Sequence, residues 1–244
     1  MVANGCYVYA IVGRETPLPS GVAGLDGAPL VAVPWQDLAA VTSRVAPAAV
    51  RPTAERLLCH EAVVEAVRRD GRALPMRFGT VLPDPAAVAQ ALSLHHDTLR
   101  ADRERLAGQV ELGLVVLWKP EDCRGEAPPE QDSALRPSPA TAGPGTCYLR
   151  SRLAEHRREA VVRSLAEEYA RSLGGALHRY ARESRSTTLP TPRLVLRAAY
   201  LLAPADIGAF REAFEALRRA HPRFRFLLSG PWPPYSFVTP PPLR

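Results

Sequence analysis

Two pairs of neighbouring side chains, His60-Glu61 and His95-His96, have the residue types that most often bind metals or move protons. His60-Glu61 begins like the zinc-protease motif HExxH, but that motif needs a second histidine where this chain has Val64. Adjacent residues of a helix point about 100° apart, so His95 and His96 are badly placed to share a metal ion. We therefore expect His60 and His95 on buried helix faces, His96 towards solvent, and no metal or other cofactor.

The candidate nucleophiles lack the partners that would activate them. Cys59 precedes His60, but adjacent side chains diverge on a helix, and no GxSxG motif supplies a serine nucleophile. Lys119 is the single lysine, which excludes a P-loop and leaves one candidate for Schiff-base chemistry. The sequence thus predicts a protein that is not an enzyme and has no catalytic residues. An alternative stays open, a small-molecule enzyme that uses Glu61 and Arg77 and requires both in one pocket.

The positive charge of the chain is carried almost entirely by arginine, with a formal net charge of +6. Glutamates interleave the arginines of the region between residues 150 and 168, which is typical of a solvated, salt-bridged helix face rather than a phosphate track. We therefore expect no nucleic-acid partner. An RNA-binding or regulatory module that uses this arginine-rich helix remains the alternative function.

Two stretches combine aromatic residues with proline, residues 74–81 and residues 230–237. In an extended strand, alternate residues share one face, so two apolar side chains of the first stretch face away from its arginine. Aromatic and arginine side chains dominate protein interfaces, and proline lowers the entropy lost on docking. We expect a partner-binding surface formed by Met76, Arg77, Phe78, Trp232, Tyr235 and Phe237.

The elements that position the first stretch form an N-terminal α+β domain, residues 1–108. Apolar and β-branched runs predict strands at 6–12, 30–33, 38–45 and 74–81. Thr53 is a suitable N-cap for a helix that ends near Gly71 and buries a stripe of Leu57, His60, Val64 and Val67. Asp84-Pro85 begins a second helix that ends at Gly108.

The remainder, residues 109–244, reads as a ferredoxin-like domain with the order β-α-β-β-α-β. Its predicted strands are 110–118, 187–189, 194–202 and 223–228, and its helices are a long one over 148–183 and a second over 204–220. A loop at 119–146, rich in proline, glycine and charge, is expected to be mobile. The tail 230–244 has too much proline for a central strand and should lie extended against another surface.

No stretch approaches the roughly 18 apolar residues that a membrane-spanning helix needs, so we expect no membrane partner. The four cysteines are scattered without a CxxC pair, which is typical of reduced thiols. Both observations favour a cytoplasmic protein.

Several short motifs follow one another along almost the whole chain. They are residues 7–12 (YVYAIV), His60-Glu61 with Val63-Val64, residues 74–81, Glu111-Leu112-Gly113 leading to Trp118, Tyr148-Leu149, and residues 230–237, which open with Gly230-Pro231. In this order they resemble the gas vesicle protein F/L family, and the two aromatic-proline stretches are the most specific part of the match.

The resemblance implies a cytoplasmic accessory protein of gas vesicle formation. Members of this family are associated with the small, very hydrophobic shell protein, as minor vesicle components or as assembly factors. The resemblance also implies two α+β domains, of which the second is ferredoxin-like, and it brings no catalytic residues. The expected partners are the major shell protein and other gas vesicle accessory proteins, with the protein located in the cytoplasm and on the gas vesicle.

Overall fold

The structure is a computed structural model that describes residues 5–46, 50–68, 71–119, 152–153, 164, 167–187 and 194–239. The chain divides into two compact units. The first contains Met1–Glu111, Leu201–Pro204 and Pro231–Arg244, and the second contains Leu112–Tyr200 and Ala205–Gly230. The described residues form two β-sheets and five α-helices, a mixed α+β fold. No helix in the described part of the chain is both long and apolar enough to span a membrane.

The first unit is built on β1, Gly5–Gly13, which is buried along nearly its whole length. One edge of β1 pairs antiparallel with β3 (Leu38–Val45), and β3 pairs with β2 (Val31–Trp35). The other edge pairs with two short strands, β4 (Leu74–Pro75) and β5 (Val81–Leu82). Since side chains alternate between the two faces of a strand, the burial of consecutive residues in β1 shows that both faces of this sheet are covered.

Three helices cover the first sheet. Helix α1, Ala54–Val67, begins at Thr53, whose side chain accepts a hydrogen bond from the Arg56 amide. Helix α2, Pro85–Leu94, begins at Asp84, whose carboxylate accepts from the Ala87 amide. Both N-caps confirm the sequence prediction. A short 3-10 helix, Leu25–Gly27, precedes β2.

The sequence predicted one helix from Asp84-Pro85 to Gly108, but the structure has two. The backbone of His95 leaves helical geometry (φ −115°, ψ 14°) and separates α2 from α3, His96–Arg105. His95 is therefore only half-buried. His96 was expected to face solvent, but its Nε2 lies 2.6 Å from an Asp37 carboxylate oxygen. This ion pair joins α3 to the connection between β2 and β3 and raises the pKa of His96.

The core of the first unit lies between β1 and α1. Tyr7 and Tyr9 of β1 are fully buried against three valines of α1, Val63, Val64 and Val67. Burying one valine contributes about 2 kcal/mol relative to leaving it exposed, so this face is what attaches α1 to the sheet. The predicted stripe was wrong at its first position, because Leu57 is 46% exposed.

The second unit holds the four-stranded sheet, in the order β7-β8-β6-β9. Along the chain the elements that lie wholly or mostly in it are β6 (Val110–Trp118), α4 (residues 167–178), β7 (Glu183–Thr187), β8 (Leu194–Leu202), a 3-10 turn (Pro204–Asp206), α5 (Ile207–Ala220) and β9 (Phe224–Trp232). Tyr200 of β8 packs on Phe210 of α5, and both are fully buried. The strand expected at 187–189 lies four residues earlier, as β7.

Candidate functional site

His60 occupies the centre of an aromatic cluster in the first unit. The Tyr7 hydroxyl lies 2.9 Å from His60 Nδ1 and also accepts a hydrogen bond from the Gly79 amide at 3.1 Å. Since a hydroxyl has one proton to donate, this arrangement is satisfied when Tyr7 donates to Nδ1. His60 then carries its proton on Nε2, which is buried and has no hydrogen-bond partner within ordinary geometry among the described residues.

Burial sets the charge of this histidine. It lowers the pKa of His60 to about 4, and the nearby Met76 backbone acts in the opposite direction but does not offset it. His60 is therefore neutral at pH 7. Its ring lies 5.8 Å from the Phe78 ring and 6.1 Å from the Tyr235 ring, so one neutral imidazole packs near aromatic residues that are far apart in the sequence.

The first aromatic-proline stretch is a turn, where the sequence predicted a continuous strand over 74–81. Only β4 and β5 are strand, and residues 76–80, the turn segment, bulge between them. Gly79 has φ +87°, in the left-handed region that favours glycine, so an extended strand does not continue through it. Met76 is buried and Arg77 is exposed, so these two side chains point in different directions, whereas Phe78, expected to share the face of Met76, is half-buried.

The second stretch ends in what we call the C-terminal segment, residues 235–239. The Tyr235 hydroxyl donates to a Glu61 carboxylate oxygen at 2.8 Å. Phe237 is fully buried. The sequence assigned this tail to the C-terminal domain, whereas Pro231–Arg244 belongs to the first unit. The difference arises because the partners of the segment are side chains of α1, α3 and the first residues of β6.

The turn segment, the C-terminal segment and α1 together line one open hollow of about 370 Å³, the Leu58 hollow. Leu58 is 70% exposed and Leu57 is 46% exposed, which is unusual for neighbouring leucines on one helix. The wall is mostly apolar, with one exposed guanidinium at Arg77. The lining residues are Leu57, Leu58, His60, Glu61, Arg77, Phe78 and Tyr235.

The structure brings together some of the expected site residues and separates the others. His60, Glu61, Arg77, Phe78 and Tyr235 line the hollow. Two further interface candidates, Met76 and Phe237, are buried beneath the surface and cannot touch a partner directly. Three lie on β9 and do not line the hollow, namely Gly230, Pro231 and Trp232. Tyr148 and Leu149 lie outside the described residues.

Sequence reasoning missed Leu57 and Leu58 as site residues. Adjacent helical positions point about 100° apart, so the adjacent residues Leu57 and Leu58 cannot both lie on the buried face of one helix. That adjacency was the available signal. The stripe assigned to α1 included Leu57 and left Leu58 unexplained, whereas the buried stripe consists of His60, Val63, Val64 and Val67.

The hollow meets one condition of the enzymatic alternative. Glu61 and Arg77 do line one hollow, which is the condition that the enzymatic alternative required. However, the Glu61 carboxylate already accepts the Tyr235 hydroxyl, and the lining residues include no serine, threonine, cysteine or lysine. Within the described ranges, no three His, Cys, Asp or Glu side chains are grouped to hold a metal ion. The arginine-rich helix of the RNA-binding alternative falls largely outside the described residues.

A larger hollow of about 700 Å³ lies at the end of β1, away from the expected residues. Its lining carries two guanidinium groups, Arg14 and Arg103, and two carboxylates, Glu15 and Asp37. The formal charges cancel, and Asp37 is already paired with His96. None of the candidate residues lines it, so the Leu58 hollow is the candidate site.

Comparison with known proteins identifies the family. The family profile described as "Gas vesicle synthesis protein GvpL/GvpF" matches residues 5–239. Gas vesicle protein L of Streptomyces sp. (strain CB03234) is 32% identical, over 95% of this chain and 92% of its own length. Gas vesicle protein F of the same strain is 28% identical, over 95% and 98% of the two chains.

Solved structures show the same fold. The crystal structure of the gas vesicle protein GvpF from Anabaena sp. PCC7120 superposes with a TM-score of 0.73, covering 97% of this chain and 99% of that one at 21% identity. The profile match extends from β1 to the C-terminal segment, so it includes every residue that lines the Leu58 hollow. The chain belongs to the GvpL/GvpF family of gas vesicle synthesis proteins.

Proposed function

We propose that this protein is a non-enzymatic gas vesicle assembly factor, or minor vesicle component, that binds the hydrophobic major shell protein through the Leu58 hollow. Its work would be done in the cytoplasm and at the forming vesicle, where it would limit aggregation of shell subunits and assist nucleation. The observation that carries the proposal is the convergence of three distant segments, α1, the turn segment and the C-terminal segment, on one open apolar surface.

The composition of this surface fits a protein partner. An exposed cluster of apolar side chains is costly in a monomer and commonly marks an interaction site. Two leucines supply apolar area, the Phe78 and Tyr235 rings supply rigid aromatic contacts, and Arg77 supplies one cation at the edge. Aromatic and arginine side chains are enriched among the residues that dominate binding free energy. A shell subunit that exposes apolar surface before it polymerises would be stabilised against aggregation if this hollow covered part of that surface.

The second unit bears on the proposal only through its architecture. We interpret the sheet order β7-β8-β6-β9, with α4 and α5 in the two crossovers, as the ferredoxin-like arrangement. This fold serves many unrelated functions, so it does not identify the partner. Other gas vesicle accessory proteins are further candidate binding partners, and this unit could bind them.

A capture experiment with the full-length chain tests the role. Tagged protein is co-expressed with the shell protein, and both the captured and the soluble shell protein are quantified. The variant Leu58→Ser removes the most exposed leucine of the hollow. Leu94→Ser is the matched control, since Leu94 is 72% exposed on α2 and does not line the hollow. Trp232→Ala is a second control, because Trp232 also lies outside the hollow.

We expect Leu58→Ser to reduce capture at least fivefold, while Leu94→Ser and Trp232→Ala leave it unchanged. Equal losses in the leucine variant and its control would indicate nonspecific apolar contact and remove the hollow as the binding site. Shell protein that is neither captured nor kept soluble by the unaltered chain would overturn the proposed function.

A further inference from the structure

We propose that the C-terminal segment acts as a strap that completes the Leu58 hollow, so that the hollow binds its partner only while residues 235–239 are docked. This inference rests on the proposed function, because the partner is the one proposed above. It assigns a positioning role to Asp102, Arg105 and Glu111, residues that do not line the hollow themselves.

Three acidic side chains of the first unit hold the segment. Glu61 accepts the Tyr235 hydroxyl at 2.8 Å. Glu111 accepts both the Ser236 amide at 2.8 Å and the Ser236 hydroxyl at 2.6 Å. Asp102 accepts the Thr239 amide at 2.5 Å. Hydrogen bonds to ionised acceptors are about twice as strong as neutral ones, so these contacts are the main polar attachment of the segment.

Two of these carboxylates are buried, which shows that the attachment is built into the fold. Asp102 is 4% exposed and Glu111 is 8% exposed. Asp102 is also paired with Arg105 Nη2 at 2.7 Å, and the same Nη2 donates to the Phe237 carbonyl at 2.8 Å. Burying a carboxylate costs free energy unless it is hydrogen-bonded. The hydrogen bonds that the segment donates therefore offset the cost of burying Asp102 and Glu111.

The segment is attached differently from a strand. Two of its backbone hydrogen bonds are local, from the Tyr235 amide to the Pro233 carbonyl and from the Phe237 amide to the Pro234 carbonyl. Side-chain hydrogen bonds and the buried side chains of Phe237 and Val238 also attach it. A peptide held in this way leaves and returns as one piece without opening a sheet ladder.

Docking of the segment places part of the binding surface. The Tyr235 ring forms one wall of the hollow and lies 6.1 Å from His60. Its hydroxyl is tied to Glu61 on α1, the helix that also carries Leu57 and Leu58. When the segment leaves, the hollow loses this wall and becomes an open slope beside α1. The partner then loses an aromatic contact and the enclosure that excludes water around it.

The test uses full-length variants and two readouts. Chymotrypsin cleavage after Tyr235 or Phe237 measures release of the segment, and shell-protein capture measures binding. Glu111→Gln removes the charge that holds Ser236 with little change of shape. Glu104→Gln is the matched control, since Glu104 lies on α3 and is paired at the surface with Arg100, away from the segment. Ser236→Ala, alone and combined with Glu111→Gln, completes a double-mutant cycle.

We expect Glu111→Gln to speed cleavage and to reduce capture at least fivefold each, with Glu104→Gln unchanged in both. The double variant should be no worse than the poorer single variant, which a general loss of folding would not produce. Faster cleavage with undiminished capture would overturn the inference, as would increased capture, which would make the segment a competitor for the hollow. Unchanged cleavage would also overturn it. If the unaltered chain captures no shell protein, the proposed function fails and the binding role of the segment fails with it.

Discussion

The turn segment and the C-terminal segment present the same arrangement of side chains but are held by different kinds of bond. Each has a buried apolar side chain, Met76 or Phe237, and a half-buried aromatic side chain, Phe78 or Tyr235, and the C-terminal segment also buries Val238. The turn segment is fixed by backbone hydrogen bonds to β1, from the Met76 amide to Tyr9 at 2.8 Å and from the Val8 amide to Thr80 at 2.9 Å. The polar attachments of the C-terminal segment are made by side chains, mainly the carboxylates of Glu61, Asp102 and Glu111.

This difference separates a permanent part of the site from a removable one. Backbone pairing to a central strand does not depend on charge, and it opens only when the sheet itself opens. Charge-assisted side-chain bonds depend on ionisation and on a few individual residues. The turn segment should therefore tolerate charge substitutions, whereas the C-terminal segment should respond to them. The predictions below test that contrast.

The largest effect is expected where both segments are alike, at their buried side chains. Phe237→Ala removes a fully buried ring and should lower the free energy of unfolding by about 4 kcal/mol, with Met76→Ala costing about 3 kcal/mol. Urea denaturation followed by circular dichroism measures both. Trp232→Ala, at a side chain that is 46% exposed, is the control and should cost far less. Equal midpoints for Phe237→Ala and the unaltered protein would mean that the ring is not part of the core.

The next effect separates the two segments. Glu111→Ala removes the carboxylate that accepts hydrogen bonds from the Ser236 amide and hydroxyl, and it should cost about 2 kcal/mol of unfolding free energy. In the turn segment, Thr80→Val removes the hydroxyl bond to the Arg77 carbonyl and should cost about 1 kcal/mol, since the backbone pairing remains. Urea midpoints of the two variants, measured side by side, provide the comparison. A larger loss for Thr80→Val would reverse the assignment of permanent and removable parts.

The sequence predicted local structure well where the signal is local. The bounds of β3 and β6 agree with the prediction, and the N-caps at Thr53 and Asp84 are where their residue types indicate. The break at His95 was missed because no glycine or proline marks it, and the apolar spacing of one long helix continues across it. The periodicity of apolar residues cannot show that a single residue within a helix leaves helical geometry.

The site was only partly predictable, because its assembly depends on long-range contacts. Met76, Arg77 and Phe78 were singled out, but the turn at Gly79 shows only in the backbone. The attachment of Ser236 to Glu111 joins residues 125 positions apart, and neither residue type is unusual in its own surroundings. Asp and Glu side chains are usually exposed, so the sequence alone predicts them at the surface. Nothing in the neighbouring residues indicated that Asp102 and Glu111 would be buried under the C-terminal segment.

A third effect comes from His60, which contacts the aromatic rings of both segments. Its pKa is about 4 in the folded protein and 6.5 in the unfolded chain, so the unfolded state binds more protons between these values. The stability it contributes is present above pH 6.5 and is lost as pH falls, by about 2 kcal/mol between pH 7 and pH 5. Urea midpoints at the two pH values measure this loss, and His60→Gln should flatten it.

His96 is the necessary control for that experiment. Its hydrogen bond to Asp37 raises its pKa, so the stability it contributes is present at low pH and is lost as pH rises through the raised pKa. The two histidines therefore act in opposite directions. In a His96→Gln background the loss on acidification should be steeper than in the unaltered protein. A pH dependence that survives His60→Gln unchanged would assign it to groups other than this histidine.

The smallest effect tests a single bond of the C-terminal segment. Burial, together with the Glu61 carboxylate, raises the pKa of Tyr235, so its hydroxyl stays protonated and donates to Glu61. Tyr235→Phe keeps the ring wall and removes this bond, which should cost about 1 kcal/mol by urea denaturation. Shell-protein capture should fall less than in Glu111→Gln, because the ring still encloses the hollow while Ser236 and Phe237 hold the segment. A greater loss of capture in Tyr235→Phe would show that the hydroxyl itself meets the partner, and the segment would then be a contact surface rather than a strap.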